Sequence, residues 1–454
     1  MTQQSRIQRL NDRPVLKRDY VLYWMQQSQR EEYNHALEYA VDRANDLSRP
    51  VLVFFGITDR FPDADLRHYR FMLEGLAETR DRLERRGIGM VVRVVSPEQG
   101  ALQMARDACL VVCDRGYLRL QKEWRKRSAR GCDVLVEQVE TDVVVPVETA
   151  SDHEEYAAAT FRPRVMECLA EYLVPLRRRT VKVRSSNVTG EAVDVSDVDA
   201  VLGRLHLQGR VRGVGIRGGT SQAKKRLARF IRSGLGCFVQ GRNDPNQDCC
   251  SGLSPYLHFG QVSPLFVALA VMKAGGPGRD AFIEELVVRR ELAMNFVHYN
   301  DSYDSYDCLP DWAKKTLAKH VVDRREYMYT RRELDRGQTH DRYWNAAQLE
   351  MKAAGRMHGY MRMYWGKKIL EWSRSPEEAF ETAMRFNNKY ELDGRDPNGF
   401  AGVAWCLGKH DRPWQERPIF GMVRYMNAAG LRRKFDADRY AESVLESRIA
   451  DGNS

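Results

Sequence analysis

Long apolar runs are absent from this chain of 454 residues. No window approaches the roughly 18 consecutive apolar residues that a membrane-spanning helix needs, and the first residues contain no apolar signal core. Low-complexity tracts and internal repeats are missing as well, which argues against fibrous, disordered and solenoid proteins. We therefore expect an intracellular globular protein with no membrane partner.

Cysteine is scarce and has no metal-binding spacing. The chain has nine cysteines and no C-x-x-C pair, a pattern that indicates reduced thiols in an intracellular protein. The adjacent Cys249 and Cys250 are interpreted as loop thiols. His258, His358 and His410 are scattered without the spacing of metal ligands, so we predict no metal site.

Three catalytic signatures are also missing. The chain contains neither the G-x-S-x-G of many hydrolases nor a P-loop, and no G-x-G-x-x-G follows the first predicted strand. Because an ordinary dinucleotide fingerprint is absent there, a nicotinamide-dependent oxidoreductase is a disfavoured interpretation.

Positive charge exceeds negative charge in this sequence. It has 72 Lys and Arg against 62 Asp and Glu, a formal net charge of +10. This balance favours an anionic partner, and nucleic acid is the commonest one for a protein of this size. A soluble enzyme with a basic surface has the same balance, so charge alone leaves both interpretations open.

The first part of the chain alternates between short apolar runs and helical patterns. Residues 1–19 are polar and basic and are predicted to form a loose arm. Runs such as PVLVFFGI are apolar throughout, which is typical of strands in a parallel sheet covered on both faces. The predicted strands are 21–24, 50–57, 90–95, 110–113 and 134–139. Five strands alternating with helices predict an α/β, doubly wound, Rossmann-like domain over residues 20–175.

The character of the chain changes twice after this domain. Residues 176–220 combine the cationic run LRRRTVKVRSS with the glycine-rich RVRGVGIRGGTSQ, and we predict a sparsely structured interdomain linker. Residues 221–454 contain mostly helical patterns, which predict a helical C-terminal domain. One long helix is predicted over 345–373.

Two glycines, Gly359 and Gly366, fall inside that predicted helix. An interior glycine costs roughly 1 kcal/mol relative to alanine, and it usually admits another helix or a ligand close to the backbone. Trp365 and Trp372 are seven residues apart on the same helix. They share a face about 10.5 Å apart along the axis, so their rings are too distant for contact without an intervening aromatic residue.

Several long motifs follow one another in a recognisable order. They are EEYAAATFRPRV at 154–165, SGLSPYLHFGQVSP at 251–264, MHGYMRMYWGKKILEW at 357–372, NNKYELDGRDPNGFAGVAW at 387–405 and HDRPWQERPIFGMVRYM at 410–426. Together they resemble the class II cyclobutane pyrimidine dimer photolyases over nearly the whole chain. The resemblance implies that 221–454 is a catalytic domain that binds FAD and DNA. It also implies that the α/β domain is of the type that often carries an antenna chromophore, a deazaflavin or a folate, although the sequence identifies neither.

The resemblance assigns a set of residues to FAD. It implies that Arg362 lies near flavin N1 and C2=O, that Asp393 holds this arginine in place, and that Asn387 is the class II asparagine opposite flavin N5. Gly399 falls near the position of the asparagine of other photolyases. The remaining implied FAD contacts are Phe238, where relatives often have tyrosine, with Ser251, Leu253 and Ser254, for which plain helix N-capping is the alternative.

The resemblance also implies an electron relay. Trp344, from DRYWNAAQ, is placed between Trp365 and Trp372, which gives the order flavin, Trp365, Trp344, Trp372 and then solvent. Ordinary core packing is the alternative role for these three indoles.

A third set of residues is implied to contact substrate. Glu285 is expected to hydrogen-bond the pyrimidine dimer, whereas its neighbour Glu284 is expected to be solvated. Met363 and Trp405 resemble the apolar walls around the dimer, and Arg289 stands where several relatives have a stacking tryptophan. This arginine could stack or bind phosphate instead. The residues that resemble those filling the gap left in the duplex are Arg242, Asn243, Arg412 and Trp414, with surface polar contacts as the alternative.

These implications predict light-driven repair of cyclobutane pyrimidine dimers by electron transfer from excited reduced FAD. The partner would be double-stranded DNA that contains such dimers, and the protein would be a cytoplasmic, nucleoid-associated monomer, or nuclear in a eukaryote. The alternative function is a blue-light receptor of the cryptochrome type without repair. Glu285, Met363 and Trp405 favour repair, because a sensor needs no site for a dimer.

Overall fold

A computed structural model describes residues 2–185, 192–207, 209, 211 and 213–452, with side chains as far as 446. The chain divides into two compact units that interleave along the sequence. The first comprises Met1–Asp152, Arg164–Arg229 and Gly252–Gly275, and the second comprises His153–Pro163, Phe230–Ser251 and Gly276–Ser454. The predicted domain boundaries follow the chain in order instead, and the functions assigned to those domains stay predictions.

A six-stranded sheet forms the centre of the first unit. Its strands are β1 (Ile7–Arg9), β2 (Tyr20–Trp24), β3 (Val51–Ile57), β4 (Gly89–Val94), β5 (Ala108–Asp114) and β6 (Val136–Val139). They lie in the order β1-β6-β5-β2-β3-β4. All neighbours are parallel except β1 and β6. The five predicted strands are therefore confirmed, in the order of a doubly wound sheet.

Apolar residues cover both faces of this sheet, as the apolar runs predict. In β2, Val21 and Tyr23 belong to one buried cluster, whereas Leu22 and Trp24 belong to another. Successive side chains of a strand point to opposite faces, so the two clusters lie on the two faces of the sheet. The α/β doubly wound fold class is confirmed.

Helices account for most of the remaining structure. The first eleven are α1 (His35–Leu47), α2 (Leu66–Arg85), α3 (Pro97–Ala105), α4 (Arg119–Gly131), α5 (Val147–Ala150), α6 (Ala158–Tyr172), α7 (Val198–Gly203), α8 (Thr220–Arg229), α9 (Phe238–Gly241), α10 (Ser254–His258) and α11 (Pro264–Ala274). The next are α12 (Arg279–Ile283), α13 (Arg290–Tyr299), α14 (Asp311–Lys319), α15 (Arg331–Arg336), α16 (Arg342–Ala354), α17 (Gly359–Trp372), α18 (Pro376–Tyr390), α19 (Pro397–Cys406), α20 (Ala428–Lys434) and α21 (Ala437–Gly452). Short 3-10 turns occur at Gln4–Arg6 and Tyr306–Cys308, and π-helical segments at Phe230–Gly234 and Glu284–Arg289. The second unit contains none of the strands, so the predicted helical character of the C-terminal part is confirmed for the described residues.

The expectation of a loose N-terminal arm was wrong for residues 4–9. Gln4–Arg6 forms a 3-10 turn, and β1 pairs antiparallel with β6 at the edge of the sheet. The Arg6 side chain is buried and donates hydrogen bonds to the carbonyl oxygens of Glu140 and Val143. A basic side chain can be buried in this way when backbone carbonyls replace its water.

The predicted linker contains more structure than expected. It includes α7, and Val195, Val201 and Leu202 are buried in one of the two clusters on the sheet. These apolar residues belong to the acidic stretch EAVDVSDVDAVLG, which lies between the cationic run and the glycine-rich run on which the linker prediction rested. Residues 186–191, 208, 210 and 212 of the predicted linker lie outside the described residues.

The single helix predicted over 345–373 is two helices. α16 ends before Gly355, which adopts the left-handed conformation with φ of 65°. α17 begins at Gly359, where the side chain of His358 accepts a hydrogen bond from the backbone N–H of Tyr360. Glycine at a helix C-terminus and an N-capping side chain are the two usual terminators, and the sequence shows both. Gly359 is therefore the first residue of a helix, not an interior one.

The expectation that all cysteines are reduced thiols was wrong for two of them. Cys237 and Cys249 form a disulfide across a separation of 12 residues, whereas the adjacent Cys250 is free and exposed. The pairing joins the start of α9 to the residues that follow it, which spacing alone does not reveal. None of the described helices is both long and apolar enough to cross a bilayer.

Candidate active site

Three helices of the second unit, α17, α18 and α19, carry the central predicted site residues, and α17 contacts both of the others. Gly366 explains how closely α17 and α19 approach. A Cβ atom added at Gly366 would lie 2.6 Å from Sγ of Cys406. This interior glycine therefore admits a neighbouring helix, one of the two alternatives that its position suggested.

Arg362 of α17 lies between two carboxylates. Its Nη2 atom is 3.2 Å from Oε1 of Glu391 and 3.6 Å from Oδ1 of Asp393. The predicted pair of Arg362 and Asp393 is present, and Glu391 is a nearer partner that the sequence analysis missed. Glu391 and Asp393 are two positions apart in the turn that follows α18, where the backbone N–H of Gly394 donates to the carbonyl oxygen of Glu391.

Burial changes the chemistry of this carboxylate pair. Glu391 is fully buried, and desolvation raises its pKa to about 8. The neighbouring guanidinium of Arg362 acts against this effect, because its positive charge lowers the pKa of Glu391. The Nε atom of Arg362 is also buried, and it has no hydrogen-bond partner among the described residues. A planar ligand with an acceptor atom beside this N–H would satisfy it.

Asn387 is buried near the end of α18, and its Nδ2 atom donates to Oδ1 of Asn388 over 3.2 Å. A Cβ atom added at Gly399 of α19 would lie 2.7 Å from Nδ2 of Asn387. The absence of a side chain at Gly399 thus leaves the room that the Asn387 side chain fills.

The three tryptophans of the predicted relay are buried and adjacent. The rings of Trp344 and Trp372 are 5.5 Å apart between centroids with an interplanar angle of 70°. Trp344 donates from Nε1 to the backbone carbonyl of Trp365 over 3.0 Å, and Trp365 donates from Nε1 to Oε1 of Gln348 over 2.8 Å. The helix break after α16 lets α16 pack beside α17, so that Trp344 contacts the ring of Trp372 and the backbone carbonyl of Trp365.

The expected exit to solvent at Trp372 was wrong, because Trp372 is only 2% exposed. Its ring meets the rings of Tyr329 at 5.3 Å and His340 at 5.4 Å between centroids. His340 in turn stacks at 3.7 Å on Tyr327, which is 40% exposed. Aromatic rings thus continue from Trp372 toward the surface, and the sequence did not reveal them because they come from the two connections on either side of α15.

Glu285 lies in the π-helical segment between α12 and α13. Its Oε1 atom accepts a hydrogen bond from Nη1 of Arg242 over 2.9 Å, so two of the predicted substrate residues form an ion pair. The guanidinium of Arg242 also lies 5.4 Å from the ring centroid of Phe238. A helix that widens to π geometry frequently marks a functional position, because it re-aims the side chains that follow.

The neighbouring Glu284 is not solvated as expected. It accepts two hydrogen bonds from Arg162 of α6, at 2.9 and 2.7 Å, and a third from Nε of Arg289 at 3.2 Å. The bonds from Arg162 lower the pKa of Glu284, and Arg289 adds to this effect. The guanidinium of Arg289 lies 5.4 Å from the centroid of Trp405, one of the predicted apolar walls.

The other predicted substrate residues are distributed over the second unit. Met363 and Asn243 are partly buried. Trp414 is exposed, and the guanidinium groups of Arg412 and Arg424 lie 4.9 and 5.1 Å from its ring centroid. This arrangement gives an exposed surface of one indole with two cations, a combination that suits contacts to nucleic acid bases and phosphates.

Four predicted cofactor residues lie outside α17, α18 and α19. Phe238 is buried in an aromatic cluster with Phe230 and Phe282, where a phenolic hydroxyl would need a partner. Ser251 is partly exposed in the second unit, and Leu253 and Ser254 belong to the first unit.

The capping alternative for the two serines fails at the start of α10. The residue at its N-cap is Leu253, which makes no side-chain hydrogen bond, and the helix is only five residues long. The predicted contacts of Phe238, Ser251, Leu253 and Ser254 with a cofactor stay predictions.

Comparisons with known proteins identify the family of this chain. Residues 21–182 match the family described as DNA photolyase. The chain is 53% identical over 445 residues to a deoxyribodipyrimidine photo-lyase of Methanothermobacter thermautotrophicus, a match that covers 98% of this chain and 99% of the relative.

Two solved structures share the fold. An archaeal photolyase from Sulfolobus tokodaii with two FAD molecules superposes with a TM-score of 0.72 at 16% identity, covering 94% of this chain and 89% of the other. A Synechocystis cryptochrome superposes with a TM-score of 0.73 at 13% identity, covering 94% and 88%.

The doubly wound α/β unit and the helical unit have the fold shared by these photolyase and cryptochrome structures. By its identity to relatives over nearly its full length, the chain belongs to the DNA photolyase family, among the deoxyribodipyrimidine photo-lyases.

Proposed function

We propose that this protein is a light-driven deoxyribodipyrimidine photo-lyase that uses FAD to split cyclobutane pyrimidine dimers in double-stranded DNA. Similarity to a photo-lyase over 98% of the chain carries the proposal. Arg362 is partly exposed, but its Nε atom is buried and lacks a partner among the described residues, which supports a cofactor that is planar and rich in acceptors. When bound, reduced FAD supplies the excited-state electron that opens the cyclobutane ring and that afterwards returns to the flavin.

The residues of α17 and its neighbours fit the isoalloxazine of FAD. Arg362 provides a fixed positive charge and free N–H donors, and Glu391 and Asp393 hold this guanidinium in place. Asn387 provides a buried amide whose space is kept open by Gly399. This amide can donate or accept a hydrogen bond, as the class II assignment of Asn387 opposite flavin N5 requires.

Glu285 and Arg242 are proposed to act on the dimer. In their ion pair Glu285 is an acceptor, so donation to a dimer carbonyl requires that Arg242 release it and that the carboxyl take up a proton. Release of Arg242 would also free its guanidinium for the gap left in the duplex by the flipped dimer. Met363 and Trp405 would exclude water from one side of the dimer, and Asn243, Arg412 and Trp414 would contact the surrounding DNA.

The test of the proposed function compares dimer repair in the light and in the dark. The reduced holoprotein is mixed with a duplex containing one thymine dimer, and loss of the dimer is measured per absorbed photon. We expect repair in the light alone and a lower quantum yield for Glu285→Ala, because the variant loses a hydrogen bond to charge that develops on the dimer. Glu284→Ala is the neighbouring control and should bind FAD and reduce normally.

A second result would decide against the proposal. If the wild-type holoprotein repairs no dimers under any illumination, the protein is a sensor of the cryptochrome type instead. If Glu285→Ala repairs as well as wild type, the enzyme stands and the role of Glu285 belongs to a neighbour. An antenna chromophore, a deazaflavin or a folate, would add an absorption band to those of flavin in the purified protein.

A further inference from the structure

Arg289 stands where several relatives have a stacking tryptophan, and a guanidinium has a different chemistry from an indole. Its side chain ends the π-helical segment and is 37% exposed. The nitrogens and the plane of its guanidinium have different surroundings. Nε is held by Glu284, one ring contact is made to Trp405, and the two terminal nitrogens make no hydrogen bond to any described residue.

The charges around Arg289 do not cancel. Glu284 is a single carboxylate, and it is shared between the guanidinium groups of Arg162 and Arg289. The nearby Glu285 is balanced by Arg242. Two cations on one anion leave an excess of one positive charge beside Trp405, at a place that solvent reaches.

Neither His410 nor Glu284 changes this excess charge near neutral pH. His410 lies beside Trp405, with 5.7 Å between ring centroids, but desolvation lowers the pKa of His410 to about 4. His410 is therefore neutral near pH 7. Glu284 stays charged there, because its bonds from Arg162 lower its pKa. The excess charge thus belongs to Arg289 and Arg162.

The orientation of Arg289 is fixed by its two partners. A carboxylate at Nε and an indole near the guanidinium plane restrict its rotation, which reduces the entropy lost when the terminal nitrogens bind a ligand. Two parallel N–H donors on a planar group match two oxygens of a phosphate, which a lysine cannot do. The ligand that satisfies both the geometry and the charge is a phosphodiester.

We infer that Arg289 binds a backbone phosphate of the DNA strand that carries the dimer, at or next to the dimer, while it packs on Trp405. The inference rests on the proposed function and adds to it a specificity determinant. A neutral aromatic residue at this position can only stack on a base. Arg289 instead binds the backbone of the strand through its charge, and Trp405 alone provides the aromatic surface.

The test combines protein variants with DNA in which one phosphate at a time is replaced by a neutral methylphosphonate. Binding of the full-length holoprotein is measured on a duplex with a single thymine dimer, with substitutions within the dimer and on either side of it. Arg289→Gln removes the charge, and Arg289→Lys keeps the charge without the paired donors. Arg279→Gln is the matched control, since Arg279 lies ten residues upstream, is 39% exposed and is paired with Asp280.

We expect Arg289→Gln to weaken dimer binding about tenfold and to lower the slope of log affinity against log salt by about one. One methylphosphonate position should weaken wild type by a similar factor and leave Arg289→Gln unaffected. The affinity of Arg289→Lys for dimer DNA should lie between those of wild type and Arg289→Gln. Arg279→Gln should bind nearly as tightly as wild type. Thermal unfolding of each variant shows whether it is folded.

The inference is overturned if every methylphosphonate position affects wild type and Arg289→Gln equally, or if Arg289→Gln and Arg279→Gln bind alike. In either case light-dependent repair by wild type would leave the proposed function standing. A wild-type protein that neither repairs dimers nor prefers dimer DNA would overturn the proposed function and this inference together.

Discussion

Lys367 lies inside the second unit with its ammonium nitrogen away from solvent. It is on α17, only 1% exposed, and Nζ has no hydrogen-bond partner among the described residues. Desolvation lowers the pKa of Lys367 to about 8 from its ordinary value of 10.5. A buried amine without a partner destabilises the folded state whenever it is charged.

Replacing this lysine with methionine should stabilise the protein. The pKa is lower in the folded state, so the unfolded state binds more protons between pH 8 and 10.5 and stability rises with pH across that window. Below pH 8 the lysine is charged in both states, and the full penalty of about 3 kcal/mol applies. We expect Lys367→Met to be more stable by about 1–3 kcal/mol at pH 7, measured by urea unfolding.

The neighbouring Lys368 is the control for this prediction. Its Nζ atom lies 2.6 Å from Oε2 of Glu371, so Lys368→Met removes an ion pair and should not stabilise. Wild type should gain stability between pH 8 and 10, whereas Lys367→Met should not. A Lys367→Met protein with the stability and pH dependence of wild type would show that the amine is solvated or paired and keeps its ordinary pKa.

At the scale of secondary structure, the break between α16 and α17 determines the aromatic line. A continuous helix over 345–373 would carry Trp344 away from α17, whereas the turn at Gly355 lets α16 fold back beside it. Trp344 then contacts the ring of Trp372 and the backbone of Trp365. The helix termini therefore decide the electron-relay geometry more directly than the spacing of the tryptophans.

The relay predicts separate effects of one substitution on two reactions. Trp372→Phe should slow the light-driven reduction of bound oxidised flavin, because phenylalanine is much harder to oxidise than tryptophan. Repair by chemically reduced protein should remain near wild type, since that reaction needs no electron from the surface. Both rates are measured by absorption, and thermal unfolding checks that the variant is folded.

Trp312→Phe is the control for the relay, because Trp312 lies on α14 and donates to the hydroxyl of Tyr156, away from the three indoles. Equal photoreduction rates in Trp372→Phe and wild type would exclude Trp372 from the relay. A parallel loss of photoreduction and repair in a folded variant would assign it a role other than electron transfer.

At the scale of the whole molecule, the net charge of +10 and the exposed surface around Trp414 predict how DNA binds. Phosphate contacts release counterions, so affinity for dimer DNA should fall steeply with salt. We expect at least a tenfold loss between about 50 and 200 mM salt, measured by fluorescence anisotropy on a labelled duplex. Combined replacement of Arg412 and Arg424 by glutamine should reduce the slope of log affinity against log salt by about two.

The result that would contradict this prediction is an affinity that hardly changes between low and moderate salt. A double variant with the wild-type slope would instead show that DNA binding is electrostatic but does not involve Arg412 and Arg424. Arg279→Gln provides a single-charge control on the same chain.

The sequence by itself determined the architecture and suggested most residues of the candidate site. Continuous apolar runs predicted strands buried on both faces, and PVLVFFGI became β3, an interior strand of the sheet that is paired on both sides. These features are local, because periodicity and capping depend on residues that are close in the chain. Family motifs added Arg362, Asn387 and the three tryptophans in the same local way.

Only the tertiary structure decided which distant side chains meet. β1 pairs with β6 across more than a hundred residues, and Cys237 finds Cys249. Arg289 packs on Trp405 and shares Glu284 with Arg162, although the three elements are far apart in sequence. A pattern of burial tells which face of each element points inward. It contains no information on the partner across the interface, because that depends on how whole helices and strands pack.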